Sequence, residues 1–224
     1  MNTCKLNTSL ALATFILVST TEGVVVDTSL NIGSNNTVDS AYNGAIGNNN
    51  TMDGSNQNVF VVGKANDIGE ENETVFVFGE LNSTGNEDDV LAAIGYANTV
   101  SYTNNIALGM HNTVYGYANQ AIGYNNYVVN SAWLTQTIGR GLINDQDYQI
   151  VIGAYNDTTT VSGEPARVLV VGNGNGVASD PEERSNALIV YETGDVSVKK
   201  AIYASTFIAD EHSGDIQMGP FTAE

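Results

Sequence analysis

The residues that could do chemistry here are acids, two histidines, tyrosines and a set of asparagines. Glu71 and Glu73 recur one repeat later as Glu87 and Asp89, with Glu70 and Asp88 beside them. Stacked in register, like charges that close repel unless water or a hard cation intervenes. Glu71, Glu73, Glu87 and Asp89 are therefore the metal candidates, for weakly held calcium, with a hydrated acidic rim as the plainer reading. The chain has neither the EF-hand loop nor the glycine-rich calcium nonapeptide. His111 and His212 have no partner at metal or triad spacing. The string Gly172-Asn173-Gly174-Asn175-Gly176 follows a strand pattern, but no helix follows it, so it lacks the geometry that cradles a phosphate. No catalytic residue or organic cofactor is expected. Asn35, Asn49, Asn72, Asn82 and Asn156 each head an Asn-x-Ser/Thr sequon at a predicted turn or loop, and are the glycosylation candidates.

Composition limits the partners. The 224 residues carry 25 acidic and 7 basic side chains, a net charge of −18. A polyanion-tracking nucleic-acid binder needs the opposite sign. A hydrophobic share of 42% is too high for a disordered acidic tail, so a core must form. Lys5, the apolar run 10–18 and the small residues Ser19, Thr20, Thr21 and Gly23 have the order of a secretory signal peptide, expected to span 1–23. That run is well short of the roughly 20 residues a membrane span needs. Cys4, the one cysteine, lies inside the signal peptide, so the mature chain would form no disulfide.

A repeat governs the rest of the chain. Glycine follows an apolar residue at Gly33, Gly47, Gly63, Gly79, Gly95, Gly109, Gly123, Gly139, Gly153 and Gly172, at intervals of 14, 16, 16, 16, 14, 14, 16, 14 and 19. Such regularity marks a solenoid. The residue before each glycine is large and apolar, from Ile32 and Ile46 to Ile152 and Val171. The residue before that is small or β-branched in nine repeats: Ala45, Val61, Val77, Ala93, Ala107, Ala121, Thr137, Val151 and Val170. Three positions after glycine, nine of ten repeats carry Asn, with Leu142 the exception. Gly-x-x-Asn reads as a turn. A second short strand then starts at positions such as Val38, Met52, Ile68, Val100, Val114 and Val128. Coils this small suit a flat two-sided roll, and ten of them stacked about 4.8 Å apart make a rod of roughly 45 to 50 Å. The large residue before glycine is expected to fill the roll and the small stripe to face outward, where further copies of the chain would cover it.

Segments such as Asn105-Ile106-Ala107-Leu108-Gly109, Asn119-Gln120-Ala121-Ile122-Gly123 and Ala92-Ala93-Ile94-Gly95 resemble the repeat in the heads of trimeric autotransporter adhesins of the Yersinia adhesin type. The resemblance covers about Leu30 to Gly176. It implies an all-β, left-handed parallel β-roll, assembled as a homotrimer. The family's coiled-coil stalk and membrane-anchoring barrel have no counterpart here, so self-export and anchoring are not implied. The C-terminal pattern is strand 185–191, turn 192–195 and strand 196–198, with another alternating segment at 202–208. It is similar to regions that follow such heads in phage tail fibres, and is expected to cap the solenoid end.

The expected organisation is a signal peptide at 1–23, a β-roll at 24–178 and a β-rich cap at 179–224. The expected function is that of a secreted, extracellular or cell-surface structural or adhesive protein. Its partners would be its own copies and an extracellular glycan or protein, with neither nucleic acid nor a membrane span involved. A solenoid carbohydrate-active enzyme, either polysaccharide lyase or hydrolase, is the alternative, and paired carboxylates would be its machinery. An ice-binding face would need an unbroken threonine array, and Asp67, Ser83 and Tyr127 interrupt Thr37, Thr51, Thr99 and Thr113. Export predicts that secreted material begins between about Ser19 and Val24; N-terminal sequencing that still finds Met1 would contradict it.

Overall fold

The computed structural model describes residues 29–38, 42–86, 89–176 and 183–199. Among them it is all-β, a parallel solenoid of about nine turns made of two sheets. The long sheet has 12 strands and the short sheet 8. Each coil gives one strand of five to seven residues to the first, such as Ile106–Met110, and most give a two-residue strand to the second, such as Thr113–Val114. Glycine pairs with glycine in every parallel step of the long sheet, as in Gly95↔Gly109↔Gly123, so the sequence repeat and the strand register coincide.

Which side chains fill the roll is the reverse of the sequence expectation. Ala45, Val61, Val77, Ala93, Ala107, Ala121, Thr137 and Val151 are fully buried, facing Met52, Ile68, Val100, Val114 and Val128 from the short sheet. The large residues before glycine point outward: Ile32 and Phe78 are each 51% exposed, Ile138 44% and Ile122 36%. The reason is volume. A coil of 14 or 16 residues brings its two sheets so close that one short side chain from the long sheet and one medium chain from the short sheet fill the gap. The outward Ile, Leu and Phe chains, on the opposite face of the pleat, have no such limit.

Asparagine closes one edge of the roll. Asn50 donates its backbone N–H and its Nδ2 to Oδ1 of Asn36, at 3.1 and 3.0 Å, and Nδ2 also donates to the Gly63 carbonyl at 3.0 Å. The same three bonds recur at Asn66, Asn82, Asn98, Asn112 and Asn126. A second amide series, which includes Asn43, Asn56, Asn72, Asn105 and Asn119, lines the opposite edge. Glycine is obligatory beside the first ladder. At Gly109, φ is 121°, and an added Cβ would lie 2.0 Å from the Gly123 carbonyl oxygen.

The first ladder stops at Leu142, whose N–H still donates to Asn126 Oδ1 at 3.1 Å. One coil later Asn156 takes a different part. Its amide exchanges two 2.8 Å bonds with the backbone of Ile143, so a side chain supplies the pairing that another short-sheet strand would give. In the long sheet Asn186–Tyr191 pairs antiparallel with Arg167–Asn173, and Val196–Val198 pairs with Asn186–Tyr191 in turn. The expected strand, turn and strand are present, and the antiparallel pair ends the parallel progression. The segment 202–208 and the signal peptide lie outside the described residues.

Replacing Asn98 by Ala removes its own bonds and leaves the buried N–H of Asn112 without its acceptor. It should cost about 2 to 4 kcal/mol, read as a lower urea midpoint. Thr99→Ala, on the outward side of the short sheet, should move it by no more than about 0.5 kcal/mol.

Candidate functional site

The most extensive unusual surface is the outer face of the long sheet. Beside the outward column of Ile, Leu, Val and Phe before each glycine runs a second, two residues earlier. It contains Leu30, Phe60, Phe76, Ala92, Ile106, Ile150 and Leu169, with Gln120 and Gln136 where it turns polar. Phe60 and Phe76 stack with centroids 6.2 Å apart. The short Ala92 between Phe76 and Ile106 leaves an apolar groove there, bordered by Val90 and Leu91. Ten strands at roughly 4.8 Å make this strip about 43 Å long, beyond the scattered apolar exposure usual for a monomer.

One rim of that face, on the turn after each glycine, carries interlocked rings. His111 sits edge-on to both Tyr96 and Tyr124, at 5.5 and 5.8 Å, so this histidine is a spacer between tyrosines. Arg140 continues the stack, 5.7 Å from Tyr124 and 5.5 Å from Tyr155, and Arg184 approaches Tyr155 from the C-terminal side at 5.9 Å. Arg184 also donates to the carbonyls of Gly141 and Asn156, fastening the cap to the coils. A second ring series, Tyr102, Tyr115 and Tyr127, runs beside the short sheet, and Tyr117 meets Trp133 on the opposite turn.

The expected acidic quartet is placed only in part. Glu71, Glu73 and Asp89 are exposed, and the register that pairs Val75 with Leu91 puts Glu73 alongside Asp89. Glu87 lies outside the described residues. Among those described, no three His, Cys, Asp or Glu side chains converge as metal ligands. His212 also lies outside them. The sequons divide. Asn35 and Asn49 are exposed, and Asn35 Nδ2 donates a 3.1 Å hydrogen bond to Asn49 Oδ1. Asn72, Asn82 and Asn156 lie between strands, at turns, but their side chains point inward and are at most 2% exposed. A glycan there would displace the amide hydrogen bonds that close the coil edge.

A polar knot that sequence reading missed lies between the last two parallel strands, where the repeat interval lengthens to 19. Arg167, buried, grips both carboxylate oxygens of Glu164 at 3.1 and 3.0 Å and donates to the carbonyls of Asp157 and Thr159. The Tyr191 hydroxyl donates to Glu164 Oε1 at 2.7 Å. The bonds from Arg167 and then from Tyr191 hold the Glu164 carboxyl down at about 2, and the same contact with Glu164 raises the tyrosine. Burial raises Asp145. The longer interval was the available signal, since an excursion needs its own anchor.

No protein family matches the chain, and no curated protein or solved structure matches it. No helix among the described residues is long and apolar enough to cross a membrane.

Glu164 is depressed from an ordinary 4.5 to about 2, so its contribution is fully present above about 4.5 and is lost as pH falls through about 2. Thermal unfolding across that interval should show a stability difference between the parent and Glu164→Gln that shrinks with acidification. A constant difference would contradict the assignment.

Proposed function

We propose that this chain is a secreted or cell-surface structural protein, a rigid β-roll that associates side by side with two further copies and acts by surface contact with matrix, glycan or protein partners. The observation that supports this most directly is the apolar outer face of the long sheet, continuous along the coils and carrying the exposed Phe78, Ile122 and Ile138 and the half-buried Ile94 and Leu108. Leaving it in water is costly at about 25 cal/mol per Å² of apolar surface. Identical chains around a threefold axis cover such a face on every copy at once. This replaces the small-residue stripe expected from sequence, which is spent on the interior of the roll. The net charge of −18 limits unregulated growth of the assembly.

The two columns give opposite mutational results. Ile94, Leu108 and Ile122 all changed to Glu should leave the roll folded and convert a trimer mass to a monomer mass by light scattering. Ala93, Ala107 and Ala121 changed to Glu bury carboxylates in a sealed interior, at several kcal/mol each, and should unfold the chain. A parent protein that is monomeric at all concentrations, with the first variant unchanged in mass, would refute the assembly.

A further inference from the structure

We propose that the turn edge carrying Tyr117, Trp133 and Tyr148 is a stacking platform for a neutral, extended glycan; this names a ligand class for the surface-contact reading above and rests on it. Asn104, Ala118, Leu134 and Tyr148 each donate a backbone N–H to the preceding coil, to the carbonyls of Asp89, Thr103, Tyr117 and Trp133, at 2.8 to 3.0 Å. Asp89, Thr103, Tyr117, Trp133 and then Asp147 therefore occupy one equivalent position on successive coils. Gln57 and Glu73 hold the same position earlier in the chain, each just before a residue of positive φ, Asn58 and Thr74.

The turn thus accepts Gln, Glu, Thr and Asp, and its geometry does not call for rings. The two rings that stand there, and Tyr148 one residue further along its turn in the positive-φ column of Asn104, are poorly covered: Tyr117 is 43% exposed, Trp133 53% and Tyr148 64%. Tyr117 and Trp133 lie 5.7 Å apart with planes 46° from parallel, which leaves ring face open to solvent. An aromatic residue recruited to stabilise the roll would bury that surface.

The occupant is set by size, polarity and charge. A protein partner covers about 800 Å² on each side, far more than three rings on one turn edge. A pyranose ring is of the right size: its C–H face lies on an aromatic ring and its rim of hydroxyls needs polar partners. Thr103 and Asp147 flank the ring pair in the same column; Asp147 Oδ1 accepts the Trp133 backbone N–H at 2.9 Å, so the Thr103 hydroxyl and the second Asp147 oxygen supply them. Coils repeat at roughly 4.8 Å, close to the length of one sugar residue, so consecutive units of an extended chain meet consecutive coils. Asp89 and Asp147 bracket the platform in a chain of net charge −18, which repels anionic glycans.

Trp133 is the only tryptophan, so its fluorescence reports from the site. The folded protein is titrated with chitohexaose and cellohexaose, and with a hyaluronan hexasaccharide as the anionic counterpart. A saturable fluorescence change with at least one neutral hexamer, and a weaker one or none with hyaluronan, is expected. Tyr117→Gln with Tyr148→Asn, residues that equivalent turns already use, should weaken neutral binding about ten-fold without altering the oligomer mass. No saturable change with either neutral hexamer, preferential binding of hyaluronan, or undiminished affinity in the double variant would each overturn the platform. A trimer mass that persists in the same samples would show that the assembly stands while the glycan assignment fails; a monomer mass with saturable neutral binding would show the converse.

Discussion

The side-chain amide of asparagine sets the spacing on which the roll is built. Between neighbouring coils Oδ1 accepts the next coil's backbone N–H and amide, while Nδ2 donates to a glycine carbonyl of that coil. An amide has a donor and an acceptor at a fixed separation, so it reproduces the peptide group's own pairing at a point where the backbone is turning and cannot pair itself. Buried amides that are fully bonded fix one register and penalise any slip, since a slipped coil would bury an unpaired N–H or C=O. The glycine column is a dependent condition, because a Cβ there would collide with the next coil's carbonyl.

From that spacing comes the division of apolar side chains. The roll is narrow, so its dry interior takes Ala and Val from the long sheet, and the bulk of the Ile, Leu and Phe is left outside. An ordinary globular domain hides its largest residues; the strand before each glycine here hides its small ones and leaves the large ones outside. The proposed assembly would complete the burial.

Much of this was legible in the residues. The glycine intervals gave the coils, the strand register and the solenoid, and Gly-x-x-Asn marked a turn. Two things escaped the pattern. Alternation says that Ala107 and Leu108 face opposite ways, but not which way is inward; the width of the roll decides that, and it emerges only when both sheets and both amide ladders are placed together. Likewise the sequons at Asn72, Asn82 and Asn156 look exposed because turns are exposed, although the ladder turns these particular side chains inward. The knot joins Glu164 and Arg167, three residues apart, to Tyr191 at the end of the next strand, and only the lengthened repeat interval pointed to it.

Coil length also has a geometry. The step from each glycine to its ladder Asn is constant, and so, in the coils of 14 and 16, is the stretch from the last positive-φ residue to the next glycine; these coils differ only between the short strand and that residue, as in Val100 to Asn104 against Ile68 to Thr74. The amide spine is therefore blind to what happens on the opposite margin. One margin is a fixed ruler and the other an editable one, where a pair of residues enters or leaves without disturbing any rung of the first ladder. New surface chemistry can be tried on such a margin coil by coil, while the mechanical integrity of the rod is kept by a part of the molecule that never sees the change.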